Sequence, residues 1–109
     1  MRLRARTAGR TAKRSSSLPQ IPTMQESGIA DYATSTWYGL WAPKNTPPEI
    51  VGKLAQAAQQ ALRKPEVAAQ YQRMGAEPVG SSPQEFLAYM RSEEKKWAEI
   101  VKRSGARAD

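Results

Sequence analysis

Cysteine and histidine are both absent from these 109 residues. Without cysteine there are no disulfides and no thiolate chemistry, and the redox compartment stays open. Without histidine the commonest general base and the commonest metal ligand are gone. Long apolar runs are missing too: no segment nears the ~18 consecutive apolar residues that a membrane span needs. The start is basic but has no apolar h-region, so it does not read as a secretory signal. No Walker loop, no G-x-G-x-x-G and no metal-ligand spacing occurs, and no cofactor is expected. Apolar residues make up 39%, short of the usual share of about 45–50%. That allows one small domain with a thin core.

Acidic residues are missing from positions 1–17, which hold Arg2, Arg4, Arg6, Arg10, Lys13 and Arg14. This tail accounts for six of the seven net positive charges, and the rest of the chain is close to balanced. Its few small apolar residues cannot offset the entropy of ordering it, so residues 1–17 are expected to be a poorly ordered tail. The body is therefore electrostatically ordinary. A nucleic-acid or lipid role would fall to the tail alone, and no aromatic is interleaved there to stack on bases.

The pattern along the body is helical with little strand. Thr23-Met24-Gln25-Glu26 has the spacing of a capping box, and Gly28 follows soon enough to end a single turn, so a short helix is expected near 23–27. Residues 33–42 are rich in threonine and aromatics and form the best strand candidate. Thr34, Thr36, Tyr38 and Leu40 would face one way, and Trp37, Gly39 and Trp41 the other. Large groups on both sides suggest a strand covered on both faces. Thr46-Pro47-Pro48-Glu49 then reads as a second capping box, opening a helix with Ile50, Leu54, Ala57, Ala58, Ala61 and Leu62 on one face. Lys64-Pro65 interrupts, and a second helix runs to Gly75. Ser82-Pro83-Gln84-Glu85 opens a long last helix with Phe86, Met90, Trp97, Ile100 and Val101 inward, ending at Gly105. Strand plus helices place the chain in the α/β class.

With neither His nor Cys, catalysis would rest on carboxylates, lysine and hydroxyls. Glu93, Glu94 and Glu99 sit among Lys95, Lys96 and Lys102 at spacings that suit solvent-facing ion pairs. Glu26, Glu49 and Glu85 have capping roles. No enzyme is expected. Trp37, Tyr38 and Trp41 carry two readings: filling a core, or lining a cleft in which the Ser35 and Thr36 hydroxyls meet a small polar ligand. Thr36, Trp37 and Tyr38 are the cleft-wall candidates.

Taken in order, several stretches resemble the C-terminal portion of a Bug-type solute receptor, the substrate-binding component of tripartite tricarboxylate transporters. They are Ala12-Lys13-Arg14-Ser15, Leu18-Pro19-Gln20-Ile21-Pro22-Thr23 and Glu26-Ser27-Gly28. Ser35-Thr36-Trp37-Tyr38-Gly39-Leu40-Trp41-Ala42-Pro43 and Asn45-Thr46-Pro47-Pro48-Glu49-Ile50-Val51 follow. Met74-Gly75-Ala76-Glu77-Pro78, Ser82-Pro83-Gln84-Glu85-Phe86 and Trp97 before Ile100-Val101 complete the set. The resemblance implies a fragment of a type II periplasmic-binding-protein-like two-lobed fold, helix-rich with few short strands. Residues 18–33 would be a remnant of the second lobe. Residues 34–109 would be a crossover strand plus the C-terminal helices of the first lobe. The intact family takes small carboxylates, works in the periplasm with a membrane permease, and catalyses nothing.

Two departures accompany the resemblance. The family's glycine- and proline-rich carboxylate-gripping loops have no counterpart here, and its apolar strand before Ala-Lys-Arg-Ser falls on the polar stretch Arg4–Arg10. These imply a truncated or frameshifted product, weak or inactive in ligand binding, and cytoplasmic if expressed as written. Marginal stability and exposed apolar surface are expected, with self-association through uncovered helix faces as a further reading. The alternative function is a small basic nucleic-acid-binding protein using the Arg-rich tail.

Overall fold

The computed structural model describes residues 8–107. The chain divides into two compact units. One holds the chain up to Trp41 together with Gln70–Glu77, and the other holds Ala42–Ala69 and the chain from Pro78 on.

In the first unit, two segments distant in sequence meet at Gly9 and Thr23, which form an isolated parallel bridge. The Gly9 N–H donates to the Pro22 carbonyl (2.8 Å), and the Met24 N–H donates to the Gly9 carbonyl (2.9 Å). One residue on, the Arg10 carbonyl accepts from the Thr34 N–H (2.8 Å). The tail expected to be poorly ordered therefore lies outside the described residues up to Thr7 and is engaged from Gly9 onward. Residues 23–28 form one hydrogen-bonded turn rather than a helix. It closes as a Schellman motif: Ile29 N–H reaches the Met24 carbonyl, Gly28 N–H reaches that of Gln25, and Gly28 takes a φ of 99°.

Among the described residues no strand is formed at 33–42, where one was expected. The stretch from Tyr32 to Pro43 carries no turn or bend, and none of its residues has a positive φ. It has a strand's run, and its Thr34 N–H bonds the Arg10 carbonyl, but among the described residues it builds no ladder of a sheet. Among the described residues the only β pairing is the Gly9–Thr23 bridge.

The second unit is helical. The Thr46 N–H returns to the Pro43 carbonyl (3.2 Å), with Asn45 at a φ of 69°, a turn whose third residue must be left-handed. Helix α1 then spans Pro48–Leu62. Its cap corrects the sequence reading. The N-cap is Pro47, with no side-chain cap bond, and the Thr46 hydroxyl donates back to the Pro43 carbonyl (2.8 Å). Pro48 explains this: a residue before proline is barred from the helical region, and Pro47 sits at ψ 137°. Arg63 and Lys64 complete the last turn of α1, and Pro65 opens α2, Pro65–Arg73, which ends within the first unit. There Gly75 provides a second Schellman stop at a φ of 70°.

Helix α3 spans Pro83–Ser104, and its capping box is complete. The Glu85 N–H donates to Ser82 Oγ (3.2 Å), and the Ser82 N–H donates to Glu85 Oε2 (2.8 Å). That second bond, reinforced by the hydroxyl, holds the Glu85 carboxyl below its usual range. Gly105 ends the helix at a φ of 67°, with Lys102 and Arg103 in the last turn facing the negative end of the helix dipole.

Helices α1 and α3 touch one another. The α1 side that becomes half-buried is Val51, Ala55, Ala58, Gln59 and Leu62, whereas Ile50, Leu54, Ala57 and Ala61 stay exposed. The expected apolar face is thus only partly used. Among the described residues no apolar side chain is buried, so no core closes.

Candidate functional site

The cleft-wall candidates lie on the stretch from Tyr32 to Pro43. Thr36 and Tyr38 are exposed, Tyr38 to 89%, while Trp37 between them is half-buried. Exposure keeps alternating through half-buried Gly39 and exposed Leu40, as the period of two requires. The three candidates are therefore split: Thr36 and Tyr38 share one side, and Trp37 lies on the other. Trp37 meets Trp41 there, with ring centroids 6.2 Å apart and planes tilted by 43°, within the range favoured by offset or tilted aromatic pairs. Between Tyr32 and Pro43 there is no charged residue. The stretch can offer hydroxyls and aromatic surface to a ligand, but no cation to balance an anion.

A second cluster surrounds Thr23, which is only 2% exposed. Its N–H donates to Glu26 Oε2 (2.7 Å), and its hydroxyl accepts from the Glu26 N–H (3.2 Å). Its carbonyl accepts from the Ser27 hydroxyl (2.9 Å) and the Ser27 N–H (3.0 Å). Arg14 Nε lies 3.0 and 2.9 Å from the two Glu26 carboxylate oxygens, and another guanidinium nitrogen donates to the Pro19 carbonyl (3.1 Å). The Arg14 hydrogen bonds, with the Thr23 N–H next, bring the Glu26 carboxyl down to about 2. The capping box read from the sequence is present. Its N–H donor, which could have gripped a ligand carboxylate, is instead filled by the protein's own carboxylate.

Glu93 corrects another reading. Expected on a solvated face, it is buried, with its carboxylate accepting from Lys96 Nζ (3.1 Å) and from the Trp97 indole N–H (3.1 Å). The Lys96 ammonium also stands 5.5 Å from the centre of the Trp97 ring. The signal was in the spacing. Phe86, Met90, Glu93, Trp97 and Ile100 follow steps of four, three, four and three, which puts Glu93 inside the apolar stripe.

The comparisons with known proteins agree with one another. The family described as tripartite tricarboxylate transporter family receptor matches residues 2–106. Protein BugT of Bordetella pertussis is 32% identical over 97 residues, which is 89% of this chain and 30% of BugT. A protein from the TAR-I ttuE-ttuC' intergenic region of Agrobacterium vitis is 34% identical over 91 residues, 81% of this chain and 26% of that protein. The solved structure of the periplasmic binding protein BugD matches with a TM-score of 0.78 at 34% identity, over 94% of this chain and 35% of BugD. The chain spans about a third or less of the length of these relatives. The chain belongs to the tripartite tricarboxylate transporter receptor family, TctC, and its relatives there are Bug-type periplasmic binding proteins.

Proposed function

We propose that this chain is the C-terminal portion of a solute receptor for small carboxylates that serves a tripartite tricarboxylate-type transporter. As a 109-residue polypeptide it binds such ligands weakly or not at all. The observation that carries this reading is the family match across nearly the whole chain, joined to a structure with no buried apolar side chain among the described residues. A binding protein grips an anion with backbone N–H groups at loops and helix starts, aided by exclusion of water. Here the Thr23 N–H is spent on Glu26, and the Tyr32–Pro43 stretch brings no charge.

In this reading the scaffold is the type II two-lobed kind. Residues 18–33 belong to the second lobe, and residues 34–109 supply the crossover and the first lobe's helices. Thr36, Trp37 and Tyr38 are wall residues of the cleft that the whole scaffold encloses. The role is capture in the periplasm and delivery to a permease, with no bond made or broken. Calorimetric titration of the chain with citrate, succinate, glutamate and an aromatic carboxylate tests it. No saturable heat in the submillimolar range is expected. Submillimolar affinity for any of the four overturns the claim of weak or absent binding.

A further inference from the structure

We propose that Met74 is a reversible oxidation site: a two-electron oxidant of the peroxide class converts its thioether to the sulfoxide ahead of Met24 and Met90, and the helix end that carries it keeps its form.

Sulfur chemistry in this chain belongs to methionine alone. There is no cysteine to compete for an oxidant, and there are four methionines. Met1 lies outside the described residues. Of the other three, Met74 is 71% exposed, whereas Met24 and Met90 are half-buried. Peroxide reaches sulfur from water, so the exposed thioether reacts first. The sulfur lone pair takes one oxygen atom from hydrogen peroxide, the O–O bond breaks and water leaves. Sulfur loses two electrons and the peroxide gains them. With no thiol in the chain, the return step needs a methionine sulfoxide reductase. Its thiols take up the oxygen, release it as water and close to a disulfide.

Local structure makes the change harmless. Met74 directly follows α2 and is the C-cap of its Schellman stop. The Met74 N–H donates to the Gln70 and Tyr71 carbonyls (3.2 and 3.0 Å), the Gly75 N–H to that of Gln72 (3.0 Å) and the Ala76 N–H to that of Tyr71 (3.0 Å). Each of these bonds runs from backbone to backbone, so the Met74 side chain has no part in the stop. A sulfoxide exchanges an apolar group for a polar one, which costs stability where the thioether is packed. Most of Met74 already meets water. Met90 differs, because it sits half-buried on the α3 stripe that also carries Phe86 and Trp97.

The test treats the full 109-residue chain with graded hydrogen peroxide, quenches it, and cleaves it after Lys, Arg and Glu, which puts each methionine on its own peptide. Mass spectrometry then reads each rate. Met74 is expected to oxidise at least about fivefold faster than Met24 and Met90. Subsequent incubation with methionine sulfoxide reductases of both epimer specificities and dithiothreitol is expected to return the Met74 peptide to its unmodified mass. Helicity is followed by circular dichroism in the parent and in Met74→Leu under the same peroxide, and superimposable curves are expected. Met24 or Met90 reacting as fast as Met74 overturns the proposal. So does a Met74 sulfoxide that the reductases leave in place, or a loss of helicity in the parent that Met74→Leu is spared.

Discussion

Glu26 concentrates more interactions than any other acidic side chain described. It caps the turn through the Thr23 N–H and anchors Arg14 from twelve positions upstream. Its carboxyl falls from the ordinary 4.5 to about 2, so the folded form favours the charged state. A carboxylate depressed in this way contributes stability that is fully present above pH ~4.5 and fades as pH falls through the folded value. The expected outcome is a transition in the Thr23 amide shift, followed by NMR, with its midpoint near 2 rather than near 4.5. Glu26→Gln abolishes that transition. Both partners are nearly half exposed, so added salt weakens the pair. The Thr-x-x-Glu spacing was legible in sequence. The Arg14 contact was not, because nothing local sets a distance across twelve residues. That contact also commits one cation of the basic tail to the protein itself.

Two segments share the Ser/Thr-Pro-x-Glu wording, and only one folds as a capping box. Ser82→Ala is expected to cost about 1 kcal/mol and to lower helicity in far-UV circular dichroism. Thr46→Ala is expected to leave helicity unchanged, because its hydroxyl bonds the Pro43 carbonyl in the preceding turn. A Thr46→Ala loss of helicity equal to that of Ser82→Ala would contradict the observed caps. The difference was already written in the chain. Pro48 follows Pro47, whereas Gln84 follows Pro83, and only the double proline forbids the first helical position. All three helices, the Lys64-Pro65 break and the Gly75 and Gly105 stops agree with the sequence reading. The stretch at 33–42 does not, since its composition expresses a preference that only a paired neighbour can realise.

Taken whole, the molecule exposes what a closed domain hides. Tyr38, Leu40, Trp41, Met74 and Val79 are each at least 60% exposed, and no apolar side chain among the described residues is buried. Cooperative unfolding requires a shared core whose loss is all-or-none, and net stability is a small residue of large opposing terms. Scanning calorimetry of the isolated chain is therefore expected to give a broad, weak transition, with binding of a hydrophobic dye before heating. A sharp two-state melt would show a core that the described residues do not form. Local chemistry decided much in advance: prolines and glycines set the helix boundaries, hydroxyl–glutamate pairs set two of the three expected caps, and ordered motifs announced the family. Those signals act over a few residues through backbone sterics and short hydrogen bonds. Tertiary structure alone decided that Arg14 reaches Glu26, that Glu93 turns inward to Lys96 and Trp97, that Gly9 bridges Thr23, and that Thr34 reaches the Arg10 carbonyl. Each of these depends on which distant groups come within hydrogen-bond reach, and that is set by the packing of the chain rather than by any short run of residues.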